Sequence, residues 1–395
     1  MHVKRWKITV KDTLKIAMIG HKRIPSREGG VEIVVEELST RMVEKGHSVT
    51  CYNRRGHHVS GKKYDIEHLK EYKGVKIIDV LTINKKGLAA MSSSFFATIC
   101  ATFGKYDVVH FHAEGPCAML WLSKLFGKRC VATIHGLDHQ RAKWGKFART
   151  YIMLGEKCAV RYADEIIVLS KGVQNYFKET YDRDTVFIPN GVTKPIKRKA
   201  DIIQRNYGLD EDEYILFLGR IVPEKGLSYL IQAFKAVRTD KKLVIAGGSS
   251  DTEKFLQELK LLAKNDDRII FTGFVQGEEL EELYSNAYVY CLPSDLEGMP
   301  LSLLEAMSYE NCCLTSDIAE CSEVVENKAF LFKKSDIECL KEKLQFLCDN
   351  SNIVCDYKKK ASYYICNKYN WEDVTNKTLS VYKGIEVEDE RTKTL

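Results

Sequence analysis

The chain has 395 residues, of which 45% are hydrophobic and 29% are charged, and its formal net charge is +6. The charge is divided unevenly: residues 1–200 carry +17, residues 201–395 carry −11, and all ten histidines lie in the first half. The composition excludes long disorder and collagen-like structure, and the length favours two domains over one.

Short apolar segments alternate with longer amphipathic segments along both halves of the chain. Their richness in Val and Ile is typical of buried parallel strands, and helical patterns lie between most of them. In the first half they lie at 15–20, 47–52, 75–80, 107–111, 129–134, 165–169 and 186–188. In the second half they lie at 214–218, 242–246, 268–272, 288–292, 312–315 and 329–332. This alternation predicts two doubly wound, Rossmann-like α/β domains.

The domain boundary is predicted in a basic segment that contains a proline, Lys194–Lys199. We assign residues 1–194 to an N-terminal domain and residues 195–370 to a second domain. Residues 371–395 are predicted to form a C-terminal helix that returns to the N-terminal domain, followed by a polar tail. Because doubly wound sheets bind ligands at the carboxyl ends of their strands, we expect the two domains to face a shared cleft.

The cysteines and the N-terminus bear on the cellular compartment. The thirteen cysteines form no CxxC pair, so we interpret most of them as small buried hydrophobes in a reducing cytosol. The N-terminus lacks the apolar region of a signal peptide, and no apolar run approaches the roughly 18 residues of a membrane span. We therefore expect a cytoplasmic protein.

A glycine pair, Gly29 and Gly30, separates the first predicted strand from the amphipathic segment 31–45. Backbone amides and the helix dipole at such a position attract anions, which indicates a loop that binds phosphate or acceptor. The alternative is an ordinary turn between strand and helix, because the pair lacks the GxGxxG spacing of dinucleotide sites.

Two cations, Arg220 and Lys225, follow the first strand of the second half in the segment LGRIVPEKG. An arginine that forms two parallel hydrogen bonds and a lysine that acts as a point charge suit a diphosphate. On charge alone, a solvated loop is the alternative.

A second loop of the same half joins the strand that ends at Pro293 to a helix. Glu297 lies in this loop and Glu305 lies on the second turn of the helix. We expect Glu297 to bind a sugar hydroxyl and Glu305 to bind ribose hydroxyls. The backbone between them is expected to hold phosphate oxygens at Gly298, Met299, Pro300 and Leu301.

These motifs resemble those of the retaining GT-B glycosyltransferases of family 4. The family's E-x7-E motif is matched by Glu297 and Glu305, and its G-R-x-x-x-E-K-G motif is matched by residues 219–226. Its P-N-G-V segment is matched at 189–192, with Asn190 as a donor-binding residue, and its T-x-H-G-x-D segment at 133–138. The resemblance covers residues 15–385 and implies the GT-B fold.

A closer resemblance involves the segments 15–37, 52–58 and 112–119, which are similar to rhamnosyltransferases of bacterial capsule and cell-wall polysaccharide synthesis. It implies transfer of a hexose, L-rhamnose from dTDP-rhamnose, to a saccharide carried on polyprenyl diphosphate. The chain departs from the family pattern at 308–311, where SYEN replaces a small residue and glycine. His112, Glu114 and Asp138 are expected on the acceptor side.

The sequence has no pair of aspartates in a credible metal position, so we expect catalysis without a metal or another cofactor. Arg220, Lys225 and helix N-termini are expected to stabilise the departing diphosphate. Glu297 and His135 complete the catalytic set, with His135 as a contact of the donor sugar and a candidate charge stabiliser rather than a base.

Basic residues alternate with aromatic and aliphatic residues at 85–105 and 141–151. This pattern is typical of a helix that lies on a membrane, and an anionic surface attracts each nearby cation by about 1 kcal/mol. We therefore expect peripheral association with the inner face of the cell membrane, although an amphipathic helix of the core with a basic solvent face is an equal alternative. No motif that reads nucleic acid is present, so we expect no nucleic-acid partner.

Two other functions stay open at this point. A nucleotide-sugar epimerase can share the fold and acts without an acceptor. An inactive paralogue could serve as a scaffold for polysaccharide assembly, although the intact set Arg220, Lys225, Glu297 and Glu305 argues against it.

Overall fold

The computed structural model describes residues 12–58, 61, 64–65, 68–85, 87–141, 144–249 and 252–387. The predicted polar tail beyond residue 387 lies outside the described residues, as do residues 86, 142 and 143 of the predicted membrane segments. The chain divides into two compact units. Unit 1 contains the chain up to Gly56, Ile66–Pro189 and the chain from Trp371 onward, and unit 2 contains His57–Asp65 and Asn190–Asn370.

The centre of unit 1 is an eight-stranded sheet. Its strands are β1 (Lys15–Ile19), β2 (Ser48–Arg54), β3 (Glu71–Tyr72), β4 (Val75–Val80), β5 (Val108–His112), β6 (Arg129–Ile134), β7 (Glu165–Val168) and β8 (Val186–Phe187). Their order is β3-β4-β2-β1-β5-β6-β7-β8, and every pairing is parallel except that of β3 with β4. The two central strands, β1 and β5, are almost continuously buried, as their apolar sequences predict.

Helices cover this sheet, and their bounds follow the amphipathic segments of the sequence. They are α1 (Gly30–Glu44), α2 (Leu88–Phe103), α3 (Glu114–Cys117), α4 (Leu120–Leu125), α5 (Lys146–Tyr162) and α6 (Lys171–Tyr181). A 3-10 turn, Asp138–Gln140, precedes α5. The core of the unit lies between these helices and the sheet and includes Ile19, Phe111, Ile134 and Phe177.

Unit 2 has a six-stranded, fully parallel sheet. Its strands are β9 (Tyr214–Leu218), β10 (Lys242–Ala246), β11 (Ile269–Gly273), β12 (Val289–Leu292), β13 (Cys312–Ser316) and β14 (Phe330–Phe332). Its helices are α7 (Ile202–Tyr207), α8 (Leu227–Lys235), α9 (Glu253–Ala263), α10 (Gly277–Ser285), α11 (Leu301–Ser308), α12 (Ala319–Val325), α13 (Ile337–Asp349) and α14 (Ser351–Lys368). The order β11-β10-β9-β12-β13-β14 reverses its direction between β9 and β12, which is where doubly wound sheets bind ligands.

The last helix, α15 (Trp371–Lys383), belongs to unit 1. Its Tyr382 hydroxyl lies 2.6 Å from Nδ1 of His110 on β5, and its Val381 carbonyl accepts a hydrogen bond from Arg129 at 2.7 Å. Glu372 at its start forms an ion pair with Lys45 at the end of α1. The helix is therefore fixed to unit 1 at both of its ends.

The units do not follow the predicted domain limits residue by residue. The predicted boundary follows residue 194, whereas the chain enters unit 2 at Asn190. Hydrogen bonds explain this position, because Asn190 binds Met299 and the Val192 amide binds the Tyr369 carbonyl. Residues 57–65 also belong to unit 2, since His58 and Tyr64 pack their rings on Phe274.

The predicted fold class is confirmed: both units are doubly wound α/β structures with parallel sheets. Across the described ranges, no helix combines the length and the apolar character that a membrane-spanning segment needs.

A close backbone contact joins the loops that follow β9 and β12. Gly226 has φ +66°, and a Cβ atom at this position would lie 1.9 Å from the carbonyl oxygen of Pro293. A side chain at Gly226 is therefore unfavourable for two reasons. The backbone there is in the left-handed region, and the Cβ atom would collide with a backbone oxygen that cannot rotate away.

We predict that Gly226→Ala lowers the free energy of unfolding of unit 2 by more than about 3 kcal/mol. The control is Gly277→Ala, at φ +60° with no atom within 4 Å of the added Cβ, which should lose only the conformational part, about 1 kcal/mol. Chemical unfolding followed by circular dichroism measures both. Equal losses in the two variants would show that the approach to Pro293 is not important.

Candidate functional site

The residues that the sequence assigned to the nucleotide sugar lie mainly at the carboxyl ends of β9 and β12. These two strands are neighbours in the sheet of unit 2, so the loops that follow them meet. The Asp295 amide donates a hydrogen bond to the Glu224 carbonyl at 2.9 Å, and this bond ties the two loops together. The close contact of Gly226 with Pro293 does the same. Arg220, Lys225 and Glu297 are thus carried by one edge of the sheet.

Lys225 and Glu297 form a largely buried ion pair, with 11% and 8% of their side chains exposed. The same carboxylate oxygen of Glu297 accepts a hydrogen bond from the Ser294 hydroxyl at 2.6 Å. An ammonium group has three donors, so Lys225 can bind Glu297 and a second anion at once. The ion pair therefore fixes the positions of both charged groups, which would otherwise be hydrated and mobile.

Arg220 differs from Lys225 in its surroundings. Its side chain is half-buried, and among the described residues its guanidinium group has no ion-pair or hydrogen-bond partner. A guanidinium group in this position can form two parallel hydrogen bonds with a phosphate. It is the cation of this edge that is best placed to bind an external anion.

The N-terminus of α11 is a second place where an anion can bind. Pro300 precedes the helix, no side chain caps it, and its first turn carries no acidic residue. The preceding segment is fixed by Asn190, whose amide nitrogens donate to Sδ of Met299 at 3.0 Å and to the Met299 carbonyl at 3.3 Å. Uncapped amides and the helix dipole there favour a negative group.

Glu305 lies on the second turn of α11 and is half-buried. Its Oε2 accepts a hydrogen bond from the hydroxyl of Tyr284 on α10 at 3.2 Å. The sequence did not identify Tyr284, because nothing local distinguishes a tyrosine that reaches a carboxylate from one that only packs in the core. The hydroxyl orients Glu305 within the predicted ribose-binding position.

Gly29 and Gly30 lie in unit 1, at the start of α1, and a carboxylate of the chain already lies beside them. The Oε2 atom of Glu32 is 2.8 Å from the place of a Cβ on Gly29, and its Oε1 accepts a hydrogen bond from the Lys22 amide at 2.9 Å. Burial raises the pKa of Glu32, but the charge of Lys22, hydrogen bonds from backbone amides and the neighbouring His21 together outweigh burial and lower it. The positive end of α1 thus faces an intrinsic anion, and the donor role of the glycine pair stays a prediction.

Histidines at the ends of β5 and β6 form a buried network in unit 1. His112 Nδ1 lies 3.1 Å from His135 Nε2, and His110 Nε2 lies 2.7 Å from the Thr133 hydroxyl. Burial lowers the pKa of His135 to about 4 and that of His110 to about 3. His135 is therefore neutral near pH 7, so it can exchange hydrogen bonds with a substrate but carries no positive charge. This differs from the charge stabiliser that the sequence suggested.

The acceptor-side candidates Glu114 and Asp138 are joined by a hydrogen bond from the Asp138 amide to Glu114 Oε2 at 2.8 Å. Glu114 is completely buried. Burial, together with the nearby carboxylates of Asp138 and Glu156, raises the pKa of Glu114 to about 10. Asp138 in turn binds Arg141 at 2.7 Å. Glu156, on α5, is far from Glu114 in the sequence and was not identified there.

Two family descriptions match the two halves of the chain. The description "Glycosyltransferase Family 4" matches residues 28–194, and "Glycosyl transferases group 1" matches residues 199–371. The division between the two matches lies close to the passage from unit 1 to unit 2.

Curated relatives and solved structures agree with these matches. The chain is 26% identical to the uncharacterized glycosyltransferase MJ1607 of Methanocaldococcus jannaschii, over 94% of this chain and 98% of that protein. It is also 26% identical to the Escherichia coli UDP-Gal:alpha-D-GlcNAc-diphosphoundecaprenol alpha-1,3-galactosyltransferase, over 70% of this chain and 75% of that protein.

Among solved structures, the Anabaena protein HepE in complex with UDP-glucose superposes with a TM-score of 0.78 at 15% identity, over 94% of this chain and 100% of HepE. Sucrose-phosphate synthase from Thermosynechococcus elongatus gives a TM-score of 0.75 at 20% identity, over 94% of this chain and 98% of that chain. These likenesses show a shared fold. With family matches over both units, the chain belongs to the glycosyltransferases of family 4 and has their GT-B fold.

Proposed function

We propose that the protein transfers a hexose from a nucleoside-diphosphate sugar to a saccharide carried on polyprenyl diphosphate. The observation that carries the proposal is the arrangement at the ends of β9 and β12. There, the Lys225–Glu297 pair, Arg220 and the uncapped N-terminus of α11 lie on neighbouring strands and loops. Two cations, a helix terminus and a carboxylate match a diphosphate joined to a sugar.

The diphosphate is the part of the donor for which this edge is best suited. The residues of unit 2 carry a net charge of −4, so the overall field of the unit repels a dianion. Binding therefore depends on local groups: Arg220 by paired hydrogen bonds, Lys225 by its charge, and the amides of α11 by the helix dipole. We assign Glu305 to the ribose hydroxyls and Glu297 to a hydroxyl of the sugar.

We further propose transfer with retention of configuration. The bond between the anomeric carbon and the diphosphate oxygen breaks as the acceptor hydroxyl oxygen bonds to that carbon on the same face. The electron pair leaves with the diphosphate, and the acceptor proton passes to a phosphate oxygen. Arg220 and Lys225 stabilise the charge that develops on the leaving group, so the chain's own cations serve where a metal otherwise would. His135, being neutral, accepts or donates a hydrogen bond to the sugar.

The sugar and the acceptor are assigned from likeness. The first-half segments that resemble rhamnosyltransferases favour L-rhamnose from dTDP-rhamnose. A second candidate is galactose from UDP-galactose, because a relative 26% identical to this chain is named as a transferase of that sugar to a diphosphoundecaprenol-linked acceptor. That name also supports a polyprenyl-diphosphate acceptor.

We predict that the purified protein, given a panel of nucleoside-diphosphate sugars and a polyprenyl-diphosphate-linked monosaccharide, forms one glycolipid product. The product should appear with dTDP-rhamnose and be detected by mass spectrometry together with release of nucleoside diphosphate. An epimerase would change the donor in the absence of acceptor, and a scaffold would change neither substrate. Failure of every donor to give a glycolipid would reject the proposal.

We predict that Arg220→Ala weakens binding of nucleoside diphosphate by about 10-fold to 100-fold, the loss expected for hydrogen bonds to a charged group. Its melting temperature should stay unchanged, because the guanidinium group has no partner among the described residues. Lys225→Ala should lose both binding and stability, since it leaves Glu297 buried without its cation.

Calorimetric titration and thermal melts distinguish these effects. Lys341→Ala, which removes an exposed pair with Glu338 in the same unit, is the control and should change neither property. Arg220→Lys should restore binding only in part, because a lysine cannot form the paired hydrogen bonds. Unchanged nucleotide affinity in Arg220→Ala and Lys225→Ala would contradict the donor site.

The acceptor's lipid requires contact with a membrane, and one face of unit 1 suits this task. We define the apolar–basic face as the exposed side chains of α2, α4 and α5, which pack against one another in that order. Large apolar groups are exposed there, namely Phe103, Trp121, Leu125, Phe147 and Leu154. Within these three helices the one acidic residue, Glu156, is buried, whereas Lys146, Arg149 and Lys157 are exposed. Exposed apolar groups with cations and without carboxylates match an anionic bilayer surface.

We predict that Lys146→Glu/Arg149→Glu weakens binding to vesicles containing phosphatidylglycerol by about 30-fold or more, at about 1 kcal/mol for each cation. Lys359→Glu/Lys360→Glu, an equal change at exposed positions of unit 2, is the control and should bind as the wild type does. Co-sedimentation with vesicles at low salt measures both. Equal binding by the two double variants would exclude this face as the membrane contact.

A further inference from the structure

Three side chains from separate elements of unit 1 converge at one buried place. Glu114 begins α3, His139 lies in the turn Asp138–Gln140, and Glu156 lies in α5. One atom from each of them lies within 4.8 Å of the others. His139 Nδ1 is 3.2 Å from Glu156 Oε2 and 3.6 Å from Glu114 Oε1. We call these three residues the Glu114 cluster.

In each glutamate of the cluster, one carboxylate oxygen accepts a hydrogen bond from a neighbouring part of the protein. The other oxygen faces the remaining two residues of the cluster. Glu114 Oε2 accepts from the Asp138 amide, and Glu156 Oε1 accepts from the hydroxyls of Tyr176 and Tyr181. The inward atoms, Glu114 Oε1, Glu156 Oε2 and His139 Nδ1, are buried, and within the described part of the chain they face only one another: the imidazole nitrogen contacts both carboxyl groups, and Glu114 shares a hydrogen bond with Glu156. Both glutamates have no exposed surface. Two buried carboxyl groups that turn oxygens toward one imidazole nitrogen form a set of ligand atoms around a single point, which a cation can satisfy.

We propose that the Glu114 cluster binds a divalent transition-metal cation of the zinc type. Carboxylate oxygen and imidazole nitrogen are zinc ligands at about 2.0–2.2 Å, which sets ligand atoms roughly 3.3 Å apart around a tetrahedral ion. The two distances from His139 Nδ1 lie on either side of this value. Two carboxylates balance the charge of the cation, and the tyrosine hydroxyls orient Glu156 as outer-shell partners do.

The packing of α5 on α3 explains how the site is built. A Cβ atom on Gly155 would lie 1.9 Å from the Glu114 carbonyl oxygen, so only glycine allows α5 to come this close. That approach brings Glu156 beside Glu114. Asp138 is not a ligand, because its carboxylate binds Arg141.

A bound cation would connect α3 and α5 with the turn that follows His135. This turn carries Asp138, whose amide binds Glu114. The cation thus positions the loop between β6 and α5 instead of entering the transfer reaction. From the sequence we expect no metal, because Glu114, His139 and Glu156 lie in separate segments that only the fold brings together.

The test uses the full chain after treatment with a chelator and dialysis. Zinc sulfate titrated into this protein should bind with one equivalent at high affinity, and cobalt in its place should give the visible absorption of a four-coordinate or five-coordinate ion. The described tryptophans, Trp121, Trp144 and Trp371, all belong to unit 1. Zinc should therefore raise the unfolding temperature reported by tryptophan fluorescence.

Glu156→Gln and His139→Gln should each weaken zinc binding by about 100-fold or more, since losing even an outer-shell partner costs about 10-fold to 100-fold. The control is His68→Gln, which removes an exposed histidine 2.6 Å from Asp79 in the same unit and should bind zinc as the wild type does. If Glu156→Gln does not fold, the zinc affinity of His139→Gln tests the proposal, because the side chain of His139 is partly exposed and its substitution is less disruptive. Absence of saturable zinc binding, or equal affinity in the wild type and in His139→Gln, overturns the proposal.

Discussion

The buried ion pair of Lys225 and Glu297 is the interaction on which the proposed donor site of unit 2 depends. It joins the loops that follow β9 and β12, the two strands between which the sheet of unit 2 reverses its order. A buried pair adds little net stability, because desolvation offsets much of the attraction, but loss of one partner costs about 3–5 kcal/mol. The role of the pair is therefore to hold the two loops in one fixed arrangement. Gly226 makes the pair possible, because only glycine lets the first loop reach the carbonyl of Pro293.

This constraint also explains how an acidic unit can bind a dianion. The field of the net charge of −4 on unit 2 is screened by salt within about 10 Å, whereas groups in direct contact with a phosphate are not. Lys225 has ammonium donors left over from its pair with Glu297 that can reach a phosphate, and Arg220 adds a charge that no described carboxylate cancels. The net charge of a domain thus says little about its binding site. Whether the unit can bind a dianion depends instead on the local arrangement of two cations and one helix N-terminus.

The strands and the positions of the loops that carry Lys225 and Glu297 could be predicted from sequence because both are local features. A parallel strand is a continuous apolar run, and the loops carry their cations and carboxylates within a few residues of a strand end. The two-residue strand β3 is too short to show a period. Residues 57–65 belong to unit 2 through ring contacts with Phe274, more than 200 positions away, which no pattern within the segment indicates. Tyr284, His139 and Glu156 were missed for the same reason.

The first half of the chain has an excess of cations at its surface and a different electrostatic problem inside. Its buried histidines are neutral, because burial lowers the pKa of His21, His110 and His135 to about 4 or below. They therefore cannot compensate the buried carboxylates of Glu114 and Glu156, and the surface cations are screened by solvent. The histidine beside these carboxylates, His139, is 3.2 Å from one of them but not aligned for a hydrogen bond. Two buried carboxyl groups beside one imidazole take up either a proton, as the raised pKa of Glu114 indicates for the cluster without a ligand, or a cation, and the convergence of three ligand atoms on one point is the reason that we propose the cation.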